Sequence, residues 1–195
     1  MGGDTALPYE QAIAELEKSL KKMQSNLFET LTWYDRNKNT LQAMEKCVIV
    51  GKQAGAQVAR ETALKLQETI LIPVSSYEFE EFLHGPSMAL DAGMGGIYLM
   101  PPVTDPDYIR MAELVRFHRD ICPMVYTIGG GEDLAANEDC SIGMDDAWYA
   151  RVFAWILPSQ IVGALLPDQK GIAGKGLELF WRLDAVLNIK YEGRA

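Results

Sequence analysis

The sequence predicts an α/β fold in which a mainly parallel sheet of about five strands lies between two layers of helices. Short apolar runs rich in β-branched residues end in glycine or proline, which is typical of buried parallel strands. These runs alternate with longer segments of helical periodicity, the order that places helices on both faces of a sheet. A chain of 195 residues is long enough for one such core with a helical appendage.

The first elements follow from changes in this periodicity. Residues 8–45 carry apolar positions three and four residues apart and predict two successive helices, with the break near Asn26. The run KCVIVG at 46–51 predicts the first strand. A helix is predicted over 53–68, followed by a second strand over TILIPV at 69–74.

The same alternation continues to the carboxyl end. A short helix over 76–84 is stopped by Gly85 and Pro86, and the helix after the third strand has Asp105 as its N-cap and Pro106 at its first position. The other predicted elements are strands at GGIYLM and CPMVYTI, a loop at 129–131, a short strand at DCSIG, one long helix over 145–166 and a helical stretch after a glycine-containing loop. We expect three parts: a helical lead (1–45), an α/β core (46–166) and a loop with a helical tail (167–195).

Charge and composition exclude several classes of function. The net charge of −9 and the pI near 4.7 leave no basic surface for nucleic acid or anionic lipid. The longest apolar run contains Arg151, Pro158 and Gln160, which favours buried helix over a membrane span. Three cysteines without CxxC spacing indicate neither a disulfide framework nor a zinc site, and no signal peptide opens the chain, so we expect a cytoplasmic protein without a metal or other cofactor.

The stretch ETALKLQETILIPVSSYEFEEFLHGP, residues 61–86, concentrates groups that could transfer protons. Glu61, Lys65 and Glu68 lie within roughly 60° of one another on the predicted helix. One interpretation is a solvated Glu–Lys ion pair with a second glutamate beside it. The other is a half-dehydrated strip between Val58 and Leu64, in which the pKa values of the three groups are shifted so that they can act as acid and base. His84 is either a turn residue or a group that donates and accepts protons near neutral pH.

Other candidate motifs are weaker. His118, between arginines on an amphipathic helix, is expected to face solvent. The glycines after the first strand, in GKQAG, match neither the dinucleotide-binding pattern nor a P-loop, so binding of a nucleoside triphosphate is excluded.

The segments ETALKLQET and FLHGP, at their fixed separation, resemble the second sugar-isomerase (SIS) domain of the glucosamine-6-phosphate synthase and deglycase superfamily, where the patterns are approximately E-G-A-L-K-L-K-E and K-H-G-P. The resemblance is ungapped from Gly51 to Pro86 and implies a three-layer α/β/α SIS domain. It assigns to Glu68 the base that moves a proton between sugar C1 and C2, and to Lys65 and Glu61 the orientation of the sugar. It assigns to His84 a part in ring opening at the site of a neighbouring subunit.

The departures from the family pattern limit this assignment. The serine-rich phosphate loop S-x-S-G-x-T of the family's first domain is absent, and Ser75 and Ser76 are its nearest substitute. Thr62 replaces a glycine, GKQ replaces G-R-G, and Lys175 is a weak candidate for the lysine of the family's tail.

The resemblance therefore implies the carboxyl-terminal half of an aldose-ketose phosphosugar isomerase or fructosamine-6-phosphate deglycase, related to the isomerase domain of glutamine-fructose-6-phosphate transaminase. The isolated chain is expected to be inactive. The alternative is a non-catalytic module that binds a phosphosugar and controls a partner protein. Expected partners are a phosphorylated sugar or amino sugar, an amino-terminal SIS domain, and a second copy in a homodimer or higher oligomer, with Phe79 and Phe82 exposed at the contact.

Overall fold

A computed structural model describes residues 9–144 and 148–187 of the chain. Its helices are α1 (Tyr9–Ala43), α2 (Ala54–Ile70), α3 (Phe79–Leu83), α4 (Tyr108–Ile121), α5 (Trp148–Gln169) and α6 (Lys175–Leu187). Its strands are β1 (Lys46–Gly51), β2 (Val74–Glu78), β3 (Met94–Leu99), β4 (Val125–Ile128) and β5 (Asp139–Cys140). The five strands form one sheet in the order β2-β1-β3-β4-β5, and every neighbouring pair is parallel. The predicted α/β class and sheet are confirmed.

The sheet separates two apolar clusters. On one face, α1, α2 and α5 pack against alternate strand residues such as Ile49 and Ile97. Trp33 of α1 anchors this cluster: its indole N–H donates to the Glu138 carbonyl at 2.8 Å, and its ring meets Tyr126 edge-on at 5.8 Å. The other face of the sheet is covered by α3 and α4. Together these layers make the three-layer arrangement.

The amino-terminal segment forms one helix where two were predicted. Asn26, at the predicted break, lies inside α1 and is buried. Its side chain exchanges two hydrogen bonds with the backbone of Gly143, at 3.0 and 2.9 Å. Because this tertiary contact satisfies the amide, the asparagine does not interrupt the helix.

The second strand was predicted five residues too early. Helix α2 continues through Ile70 and ends at Leu71, which adopts a left-handed backbone conformation (φ 56°). The strand is VSSYE, which lies at the sheet edge and pairs only with β1. An edge strand has half-exposed positions, so Ser75 and Ser76 are tolerated there. The apolar run that precedes them forms the end of α2 and the loop before β2.

Helix boundaries elsewhere shift slightly. Helix α4 begins at Tyr108, with Asp107 rather than Asp105 at the N-cap position. The Asp105 carboxylate instead accepts the Asp107 backbone N–H at 2.8 Å. Helix α5 continues through Pro167 to Gln169, across the boundary expected between core and tail.

Two predictions about exposure were wrong. His118 is fully buried, because the absence of a side chain at Gly96 lets its ring lie against β3. There it contacts the Tyr98 hydroxyl through Nδ1 (2.9 Å) and the Met94 carbonyl through Nε2 (2.8 Å). Phe79 and Phe82, expected at a surface contact, are also buried, since α3 turns both rings into the core.

Candidate functional site

The predicted strip of Glu61, Lys65 and Glu68 lies on the outward face of α2. The opposite face of the helix is buried, as predicted, through Ala59, Ala63, Leu66 and Ile70. The Lys65 ammonium lies 3.2 Å from the Glu68 carboxylate, and the two side chains are 40% and 53% exposed. The helix therefore holds an acid and a base together on one accessible face.

The described residues leave the strip open to solvent. Val58 is buried, but Leu64 on the other side is 49% exposed and does not shield the charges. An exposed ion pair of this kind contributes about 0–1 kcal/mol to stability. Removal of water from around these charged groups would require a bound ligand or a second protein surface.

His84 lies on the other side of the sheet from the strip. It follows α3, whose Phe79 and Phe82 pack in the cluster that contains Val48 and Val50, whereas α2 packs in the opposite cluster. Its backbone N–H caps α3 by bonding to the Glu80 and Glu81 carbonyls, and the residue is exposed. The chain does not bring His84 and the strip together on one face of the sheet.

The three predicted substrate-binding residues occupy two places. Ser75 and Ser76 lie within edge strand β2, opposite Val48 and Ile49 of β1, and not at the amino end of a helix where backbone amides could hold a phosphate. Lys175 opens helix α6. The next residue, Gly176, packs so closely on α2 that a methyl group there would lie 2.8 Å from the Glu68 carbonyl oxygen. The start of α6, with Lys175, is thus adjacent to the end of the strip.

Sequence reasoning missed a cluster at the carboxyl edge of the sheet. The strand order reverses between β1 and β3, which is where open α/β sheets usually hold ligands. Here Lys52, after β1, donates to Asp105 at 2.6 Å and lies 2.8 Å from Asp107. Bonding to the Lys52 ammonium holds the pKa of the Asp107 carboxyl below its ordinary value. The sequence signal for this cluster was the charged residues in the loops that follow β1 and β3, in GKQ and DPD.

Further side chains fill the same crevice. The Trp155 indole donates to the Met100 carbonyl at 3.2 Å, and the buried Arg151 guanidinium lies 5.7 Å from the Trp155 ring centre. Cavities of about 160 and 100 Å³ remain, both bordered by Pro101 and Pro102. Ligand pockets are usually about 300–1,000 Å³, so this crevice is small for a sugar phosphate.

A larger cavity, of about 470 Å³, opens between α2 and α5. We call it the α2–α5 groove; it is lined by Ala54, Gln57, Val58, Glu61, Val152, Phe153, Ile156 and Gln160. Most of these side chains are apolar, and Glu61 joins the groove to the strip.

Residues 9–144 and 148–187 contain neither a metal-binding cluster nor a membrane-spanning helix. No group of three or more His, Cys, Asp or Glu side chains is arranged there to hold a metal ion. No helix within these ranges has the length and apolar character needed to cross a bilayer.

Comparison with known proteins identifies the fold. No family model matches the chain, and no curated protein matches its sequence. Among solved structures, a protein from Clostridium difficile 630 assigned as a phosphosugar isomerase matches with a TM-score of 0.72 and 26% identity over 86% of this chain. The carboxyl-terminal domain of glucosamine-fructose-6-phosphate aminotransferase from Francisella tularensis matches with a TM-score of 0.62 and 20% identity over 84% of this chain. The chain has the fold of an SIS domain.

The solved structures differ from this chain in length. A protein from Salmonella typhimurium LT2 assigned as sugar-binding has a TM-score of 0.72 and 28% identity over 81% of this chain. This chain spans 47% of the Clostridium protein and 48% of the Salmonella protein. By contrast, it spans 99% of an E. coli CFT073 protein solved as a ligand complex, at 13% identity over 89% of this chain and a TM-score of 0.62. The SIS domain thus corresponds to about half of its more similar neighbours and to the whole of a more distant one.

Proposed function

We propose that this SIS domain binds a phosphorylated sugar or amino sugar and supplies the proton-transfer groups of an aldose-ketose isomerase or fructosamine-6-phosphate deglycase. The observation that carries the proposal is the Lys65–Glu68 pair on the exposed face of α2, 3.2 Å apart, with Glu61 one turn before it. Isomerisation needs a base that removes a proton from one sugar carbon and returns it to the next, and the accessible Glu68 carboxylate can reach a bound sugar, with the neighbouring ammonium placed to bind the sugar oxygen that becomes negative. The neighbours assigned as a phosphosugar isomerase and a sugar-binding protein support this substrate class.

Each group has a separate role in this proposal. Glu68 moves the proton between C1 and C2, while Lys65 holds a sugar oxygen and stabilises the negative charge that develops there. Glu61 orients the sugar from the rim of the groove, and Lys175 lies near the other end of the strip, beside Glu68. His84 assists ring opening in the site of another subunit, because it lies across the sheet from its own strip.

The sugar phosphate is held mainly by a second domain. Lys52 at the carboxyl edge already binds Asp105 and Asp107, and Ser75 and Ser76 lie in an edge strand. We therefore place the phosphate in a second SIS domain that faces the strip, whether this domain continues the same polypeptide or belongs to another. The chain alone should then show little or no turnover of ketose or aldose 6-phosphates, since binding energy from the phosphate contributes to rate as well as to affinity. Substantial turnover by the chain alone would contradict this part of the proposal.

Replacement of the base tests the catalytic role directly. In the protein paired with its phosphate-holding domain, Glu68→Gln should slow exchange of the sugar C2 hydrogen with solvent deuterium by roughly 10²–10⁴-fold, the usual contribution of a positioned base. Exchange is followed by NMR, and Glu81→Gln, at an exposed glutamate on α3, is the matched control. If Glu68→Gln binds the sugar phosphate and exchanges at the wild-type rate, Glu68 is a surface residue. If neither wild type nor variant exchanges but both bind, the domain is a binding module that controls a partner.

A further inference from the structure

Helix α6 carries an apolar stripe that faces away from the core. Leu179, Leu183 and Val186 lie within about 60° of one another on the helix. They are 54%, 52% and 79% exposed, and α6 has no buried residue. Exposed apolar stripes of this kind mark interaction sites.

The same chain carries an apolar groove that nothing among its described residues fills. The α2–α5 groove has a volume of about 470 Å³, and its Phe153 is 39% exposed. The groove lies along Ala54–Glu61, in the first half of α2, whereas α6 starts beside Glu68 at the other end. Helix α6 therefore does not lie in its own groove.

We infer that α6 of one copy docks into the α2–α5 groove of a second copy, and that the exchange is reciprocal. Exchange of identical segments between two copies gives a closed twofold dimer. Each copy then buries one helix stripe and one groove, so the dimer contains two such contacts; a standard specific interface buries about 800 Å² per partner. This inference does not depend on the reaction proposed above.

Charge favours this occupant over a lipid surface. Arg182 is exposed beside the α6 stripe, while the groove rim carries Glu61 with the neutral Gln57 and Gln160. The flank of the stripe is therefore positive and the rim of the groove negative, which favours their association. A helix that binds anionic lipid is usually rich in lysine and arginine, whereas in α6 two acidic residues balance two basic ones and the chain has a net charge of −9.

Disulfide trapping tests the inference on the chain itself. A chain with Leu183→Cys is co-expressed with a differently tagged chain carrying Phe153→Cys, and the purified mixture is oxidised. Both positions are exposed, whereas the native Cys47, Cys122 and Cys140 are buried, so the new thiols are the ones that can react. We expect a crosslinked heterodimer. The matched control replaces Leu183→Cys by Glu178→Cys, on the polar side of α6, and should give at least ten-fold less crosslink.

The alternatives give distinct products. A chain that carries both cysteines and forms only an intramolecular disulfide would show that α6 folds back onto its own groove. Crosslinks that form only between two copies of the Leu183→Cys chain would show that α6 pairs with α6. Either product, or no crosslink at all, overturns the inference.

Self-association provides an independent readout. In analytical ultracentrifugation, Leu183→Asp should weaken dimerisation at least ten-fold, while Glu178→Gln leaves it unchanged. Because Leu183 is half exposed, the variant should keep its circular dichroism spectrum. A wild-type chain that stays monomeric at about 100 µM contradicts the inference, because specific protein interfaces have dissociation constants of about a micromolar or below.

Discussion

Replacement of the buried His118 by leucine should destabilise the domain strongly. The ring is fully buried and contacts two polar groups, the Tyr98 hydroxyl at 2.9 Å and the Met94 carbonyl at 2.8 Å. Leucine has a similar volume but leaves both partners without a hydrogen bond. A buried polar group left unpaired costs about 1–3 kcal/mol, so the loss of two partners by His118→Leu should lower the free energy of unfolding by roughly 2–6 kcal/mol. Tyr98→Phe, which removes only one of the contacts, should cost about half as much.

The same histidine gives the effect a defined pH dependence. Burial lowers the pKa of His118 from its ordinary 6.5. Below pH 6.5 the unfolded state therefore binds a proton that the folded state does not, so stability falls as pH decreases through that value. The slope from this group is at most about 1.4 kcal/mol per pH unit. Since His118→Leu has no such group, the stability difference between wild type and variant should shrink between pH 7.5 and pH 5.5.

Urea unfolding followed by tryptophan fluorescence measures both effects. His84→Asn is the control, because it replaces the chain's other histidine at an exposed position and should change stability by less than about 0.5 kcal/mol. The reasoning is wrong if His118→Leu costs less than about 1 kcal/mol, below the range for unpaired buried groups. It is also wrong if wild type and variant lose stability in parallel as the pH falls.

Two further substitutions test other contacts. Gly51→Ala places a methyl group 2.4 Å from the backbone of Gly55, so we expect the free energy of unfolding in urea to fall by at least about 3 kcal/mol. The control is Gly85→Ala, which should be near neutral because no atom lies within 4 Å of the added methyl group. Equal effects of the two substitutions would contradict the packing of α2 on β1. Lys52→Met removes the cation that Asp105 and Asp107 share, so the melting temperature should fall at pH 7. Because the Asp107 pKa is depressed in the folded state, this difference should shrink as the pH falls from 7 to 3, through the ordinary value of 3.8 and toward the lower folded-state pKa, and a difference of the same size at pH 7 and pH 3 would assign it to packing instead.

The sequence determined those features that depend on local patterns. Alternation of short apolar runs with helical segments predicted the parallel sheet, because a strand buried on both faces needs a continuous apolar run. The period of α2 predicted its buried face, with Ala59 and Leu66 inside and Glu61, Lys65 and Glu68 on the outer face. The resemblance of ETALKLQET and FLHGP to the family pattern also implied the SIS fold.

The tertiary structure decided which of these residues share a surface. The second strand moved to VSSYE because it is an edge strand, and edge position depends on the order of strands in space. His118 is buried because Gly96 on another element leaves room for its ring, a contact between residues far apart in sequence. Spacing along the chain placed Glu68 and His84 sixteen residues apart, but the sheet between α2 and α3 puts them on opposite sides. Periodicity reports which side of one element is apolar, whereas the packing of several elements decides what that side meets.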